Sequence, residues 1–117
     1  MKTCTRFFVV LSLLIMAGLL MTGCGKKVGG NAAAFASASP EIKAAWDKGL
    51  AEAKAKDYAA AMTTLRVLHN KPGLTADQVK ALEETTTVVS DEMYAAANKG
   101  DAKAVEAIKT LRELQRR

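Results

Sequence analysis

The side chains best equipped for chemistry in this 117-residue sequence are two cysteines, Cys4 and Cys24, one histidine, His69, and the adjacent acid pairs Glu83-Glu84 and Asp91-Glu92. A carboxylate pair can share acid and base duties only if both groups meet one substrate atom. Neighbours on a helix point about 100° apart, so these two pairs read as solvated helix surface. His69 has no second His or nearby Cys with which to hold zinc, and its place near a helix end suits an interaction with exposed carbonyls. Neither a phosphate-binding glycine loop nor a serine in a nucleophile-elbow context occurs. No catalytic residue, metal ligand or cofactor is expected, and the chain reads as non-enzymatic.

Cys24 is different because of what precedes it. Lys2 and Arg6 begin the chain, and a run without charge, Phe7 to Met21, follows, too short for the ~20 apolar residues that cross a bilayer. Such a charge-then-apolar order is that of an export signal. The segment Leu20-Met21-Thr22-Gly23-Cys24 resembles the lipobox of bacterial lipoproteins, with Met21 where leucine is commonest and with the small pair Thr22-Gly23 before the cysteine. The resemblance implies that residues 1–23 are a signal peptide cut between Gly23 and Cys24, and that Cys24 carries a diacylglyceryl thioether and, in many bacteria, an N-acyl chain such as palmitate. Each buried methylene adds about 0.8 kcal/mol, so two or three chains make the anchor effectively permanent. Gly25, where an aspartate would favour inner-membrane retention, implies the outer membrane facing the periplasm if the organism has one, and otherwise the outer face of the plasma membrane.

The formal charge of +5 would ordinarily raise nucleic acid as a partner. Four of the 17 cations, Lys2, Arg6, Lys26 and Lys27, precede residue 40, leaving thirteen against the twelve acids beyond it. The body is nearly neutral, and no nucleic-acid partner is expected. Residues 24–39 are rich in Gly, Ala and Ser with one aromatic, Phe35, and no period, which predicts a lipidated flexible tether.

Residues 40–117 carry helix punctuation throughout. Ser39-Pro40-Glu41 supplies an N-cap, a first-turn proline and an acid. The apolar positions Ile42, Trp46, Gly49/Leu50 and Ala53 share one face. Lys54-Ala55-Lys56 is a turn, and Asp57 caps a second helix through Tyr58, Ala61, Met62, Leu65 and Leu68, stopped at Asn70-Lys71-Pro72-Gly73. Thr75 and Gln78 fit a capping box. The seam Val79, Leu82, Thr86, Val89, Met93 and Ala96 carries a third helix through the β-branched stretch Thr85–Val89, whose local propensity is poor. Gly100 suits a left-handed C′ position, and Asp101 caps a fourth helix with Val105, Ile108, Leu111 and Leu114 as its buried stripe. The expected fold is all-α: four antiparallel helices in two αα-hairpins, following the signal peptide and tether. Glu52 with Lys56, and Glu113 with Arg117, are spaced as i,i+4 ion pairs.

The first hairpin resembles a tetratricopeptide repeat: Gly49, Ala61 and Leu65 fall at the consensus places for the close-packing glycine, the small residue and its large neighbour, and Asp57-Tyr58 fits the turn. Trp46 comes one position late, Leu50 follows the glycine instead of preceding it, and Pro72 is one residue early. The second hairpin keeps Gly100-Asp101 and the apolar stripe. The resemblance covers about 30 residues and implies a protein-interaction surface. Sixteen alanines but only 17 large aliphatic, Met or Trp side chains in residues 40–117 predict a thin core, so that self-association or a partner would add missing burial. Trp46, Tyr58 and Tyr94 are the candidate partner-binding aromatics, with Trp46 and Tyr58 expected mainly inside and their polar groups at the edge.

The functional expectation is an envelope lipoprotein whose helical domain is an adaptor or scaffold for another envelope protein. A helical oligomer acting as a spacer, and a carrier of a small apolar ligand between Ala-rich helices, are the alternatives.

Overall fold

The helix boundaries follow from side chains that satisfy the backbone groups a helix leaves unpaired at each end. A computed structural model describes residues 28–117, and the expected signal peptide of residues 1–23, Cys24 and the first part of the expected tether lie outside that range. Helix α1 spans Pro40–Lys54, with the Ile42 N–H donating to Ser39 Oγ. Helix α2 spans Tyr58–His69, with the Ala60 N–H donating to Asp57 Oδ1. Helix α3 is Ala76–Asn98 and carries a full capping box: Gln78 N–H donates to Thr75 Oγ1, and Thr75 N–H donates to Gln78 Oε1. Helix α4 is Ala102–Arg116, started by Asp101 Oδ1 accepting from the Lys103 and Ala104 N–H groups.

The helices pair as α1 with α2 and α3 with α4, and α2 packs in turn on both helices of the second hairpin. The protein is all-helical over the described residues, two αα-hairpins stacked through α2. Close approach within the first hairpin needs a missing side chain: a Cβ built on the buried Gly49 would lie 2.9 Å from Leu65 Cδ2. In α3 the β-branched stretch is fully helical because tertiary burial of Thr85, Val88 and Val89 outweighs its propensity.

Both hairpins close in the same way. After α1, Lys56 N–H donates to Ala53 O and Asp57 N–H to Glu52 O. After α3, Gly100 N–H donates to Ala97 O and Asp101 N–H to Ala96 O. These are Schellman caps, and in each the residue after the left-handed position is the aspartate that starts the next helix. Gly100 meets the requirement at φ +87°, whereas Lys56 adopts φ +60° with a side chain attached.

Three expectations change. The flexible tether does not extend to residue 39: successive i,i+3 hydrogen bonds run from Gly29 O to Ala38 N–H, with a 3-10 turn at Ala32–Phe35, and this strap packs on both α1 and α3. Phe35 is fully buried and stacks on Trp46, ring centroids 4.1 Å apart and planes 13° apart. Average composition hid the large side chain that docks the segment. In α4, the buried positions are Ala104 and Ala107, with Ile108 and Leu111 partly covered, while Val105 and Leu114 are 38% and 48% exposed. Alanine lets α4 lie close to its neighbours, which turns the larger side chains away from the centre of the contact. Finally, Glu52 approaches Lys48 at 3.8 Å and accepts from Thr64 Oγ1 at 2.6 Å rather than meeting Lys56, which lies beyond the helix.

Candidate functional site

Antiparallel pairing brings the two hairpin turns to one end of the bundle, the C-terminal end of α1 and α3 and the N-terminal end of α2 and α4. There Tyr58 lies between two open clefts. One, of about 630 Å³, runs between Lys56 and the Glu92–Asp101 region of α3 and its turn; the other, of about 440 Å³, runs between the first turn and Lys103, Glu106 and Thr110 of α4. Lys56 and Tyr58 line both.

This end carries exposed lysines beside the carboxylates of Asp57, Glu92, Asp101 and Glu106. Lys54, Lys56, Lys99 and Lys103 are exposed, and among the described residues none of them reaches a carboxylate within ion-pair distance. By contrast Lys43 pairs with Asp47 at 2.8 Å, Lys109 with Glu106 at 3.7 Å, and Lys71 donates to Glu41. Asp57 and Asp101 are occupied as helix N-caps, where the helix dipole favours their charge. Tyr58 is itself buried, and that burial, followed by the nearby charges of Glu92 and Asp101, raises its phenol above the usual tyrosine value. Both clefts are open and bordered by charged side chains.

At the strap, Gln78 uses both ends of its amide. Its oxygen completes the α3 cap, and its Nε2 donates to Ala34 O at 3.1 Å, so the start of α3 is tied to the strap through a side chain only 5% exposed. Trp46 is as deeply placed, and its Nε1 is buried with no hydrogen-bond partner among the described residues. An orphan donor of this kind costs about 1–3 kcal/mol. The expectation that its polar group reaches the edge is thereby corrected: Phe35 covers the ring and seals it from water.

Of the three candidate aromatics, Trp46 and Tyr58 are buried, and Tyr94, 47% exposed, is the one that offers surface. Val67, Val105 and Leu114 add exposed apolar side chains on α2 and α4. His69 lies 3.8 Å from Glu83 Oε1 across the α2–α3 interface, beside a shallow cleft lined also by Leu65, Arg66 and two threonines. One of them, Thr87, donates its hydroxyl to Glu83 O. Among the described residues no three His, Cys, Asp or Glu side chains gather as metal ligands, and no helix is long and apolar enough to cross a membrane.

Sequence reasoning missed the lysine set and the docking role of Phe35 and Gln78. The paired dipeptides Lys56-Asp57 and Gly100-Asp101 were the signal for the former, since each marks a turn at the same end of a hairpin. No protein-family model, curated protein or solved structure matches the chain.

Proposed function

We propose that the chain is a bacterial envelope lipoprotein, anchored through a diacylglyceryl group on Cys24, whose helical domain is a non-enzymatic adaptor or scaffold for another envelope protein. The observation that carries this reading is the order Lys2/Arg6, uncharged run, Thr22-Gly23, Cys24 in the first 24 residues. The likeness of the first hairpin to a tetratricopeptide repeat supports the interaction role, and so does the exposure of Val67, Tyr94, Val105 and Leu114 on three different helices. Tyrosine, here Tyr94, is among the residue types enriched at interface hot spots. The anchor contributes location and local concentration, and the helices contribute selectivity.

Intact-mass spectrometry of protein extracted from native membranes tests the anchor: the expected species begins at Cys24 and carries the mass of a diglyceride. An unmodified thiol or a retained Met1 refutes it. Photo-crosslinking in living cells from Tyr94 and Val105 tests the role of the domain. A defined heterologous band is expected of an adaptor, whereas a ladder of self-adducts assigns the domain to an oligomeric spacer, the reading that the exposed Val105 and Leu114 of α4 favour second.

A further inference from the structure

The strap changes where the domain sits relative to its anchor. If residues 24–39 were a free leash, the domain would stand up to ~55 Å from the lipid. Val28 instead packs against the hydrophobic core, and Gly29 lies so close to α1 that a Cβ on it would be 3.0 Å from Leu50 Cδ1. Three residues separate Val28 from Cys24, a reach of at most ~14 Å. Leu50 is one turn from the end of α1, so Gly29, only five residues beyond Cys24 in sequence, lies toward the end where the two hairpin turns meet.

That end carries Lys54, Lys56, Lys99 and Lys103, all exposed and without ion-pair partners among the described residues. Its acids are largely committed: Asp57 and Asp101 cap helices and Glu106 pairs with Lys109, which leaves Glu92. A second basic group, Arg112, Arg116 and Arg117, lies at the far end of α4, ~20 Å along the helix from Lys103. The exit point of the chain chooses between the two basic ends.

We propose that the hairpin-turn end of the bundle rests against an anionic phospholipid surface, with Lys54, Lys56, Lys99 and Lys103 at the headgroups and the opposite end facing away. The inference rests on the lipid anchor at Cys24. Near an anionic membrane each such lysine changes partitioning by about fivefold, so four of them with a short leash fix an orientation that neither would fix alone. The surface left free for a protein partner is then the far end and the flanks, including Val67 and Leu114.

Helix α3 supplies the ruler, since its 23 residues place its two ends ~33 Å apart. The lipidated full chain, purified from membranes as Asn98→Cys or as Ala76→Cys, is labelled with a fluorophore and reconstituted into phosphatidylglycerol-containing vesicles with nitroxide-bearing headgroups. The Asn98 label is expected to be quenched several-fold more strongly than the Ala76 label. The difference should shrink in 1 M salt, where the Debye length falls to ~3 Å, and in a Lys56→Glu, Lys99→Glu, Lys103→Glu variant. It should persist in Arg112→Glu, Arg116→Glu, Arg117→Glu. Equal or reversed quenching in a chain whose mass shows the diglyceride overturns the orientation alone, and a contrast unchanged by salt and by the lysine substitutions overturns the role of those lysines. Absence of the diglyceride overturns the anchor and the orientation together.

Discussion

Replacing Phe35 by Ala tests whether the strap belongs to the folded unit. Phe35 is fully buried and stacked at 4.1 Å on the sole tryptophan. Full burial of such a side chain contributes ~1.5–3 kcal/mol, and an aromatic pair adds ~0.5–1.5 kcal/mol. The sum, ~2–4 kcal/mol, is an upper bound on what Phe35→Ala can cost, because a strap that loses its anchor can detach and recover its chain entropy. Against a thin core worth ~3–5 kcal/mol in all, even the lower figure is severe. For a domain of this size that lower figure corresponds to a fall in Tm of about 8–16 °C. The assay is urea denaturation of the chain lacking its first 23 residues and carrying Cys24→Ala, followed by Trp46 fluorescence. Two results are expected together: a urea midpoint lowered in proportion to a loss of ~2–4 kcal/mol, and a red-shifted native emission as water reaches the indole that Phe35 now covers. A truncation that begins at residue 39 should lose about as much stability, since Phe35 carries most of the docking. If Phe35→Ala changes stability by less than ~0.5 kcal/mol and leaves the emission unshifted, residues 28–38 are a spacer after all and the membrane orientation loses its short leash.

Three further substitutions probe the hairpins and the site. Gly49→Ala should destabilise by ~1–3 kcal/mol in thermal unfolding, because its Cβ would meet the buried Leu65 Cδ2 at 2.9 Å; a neutral result would mean that Leu65 can move aside. Lys56→Gly should stabilise by about 0.5–1 kcal/mol, by relieving a side chain held at φ +60°; a lower Tm would show that the lysine stem contributes more than the strain costs. Tyr58→Phe should flatten the alkaline limb of the stability profile. The folded phenol has a raised pKa, so its contribution is complete below the unfolded value, near 10, and is lost as pH rises through the folded one. An unchanged loss of stability above pH ~10 in Tyr58→Phe would assign the alkaline transition to other groups.

Most of the helical frame was legible because its punctuation is chemical and local. Ser39, Asp57, Thr75 with Gln78, and Asp101 each cap a helix through a bond that needs only neighbours in sequence. The left-handed Gly100 and the Gly49–Leu65 approach were readable for the same reason: only one residue type fits without strain or displacement. What escaped depends on partners remote in the chain. Phe35 looks like a stray aromatic in a polar spacer until Trp46 is placed beside it, and Gln78 looks fully employed by its capping box until Ala34 O is found 3.1 Å from its nitrogen.

The misread phase of α4 and the thin core have one physical origin. Apolar periodicity weights a helix face by size, and so favours Val105 and Leu114; packing weights it by how closely backbones can approach, and so favours Ala104 and Ala107. A bundle built on alanine contacts buries little surface per residue and leaves large apolar side chains at its margins. Val67, Tyr94, Val105 and Leu114 are those margins. Under the proposed anchor and orientation, those lying away from the lysine end are the surfaces left to a partner. Anchor, strap and alanine packing thus act on one property, which part of a small helical domain remains available to a partner.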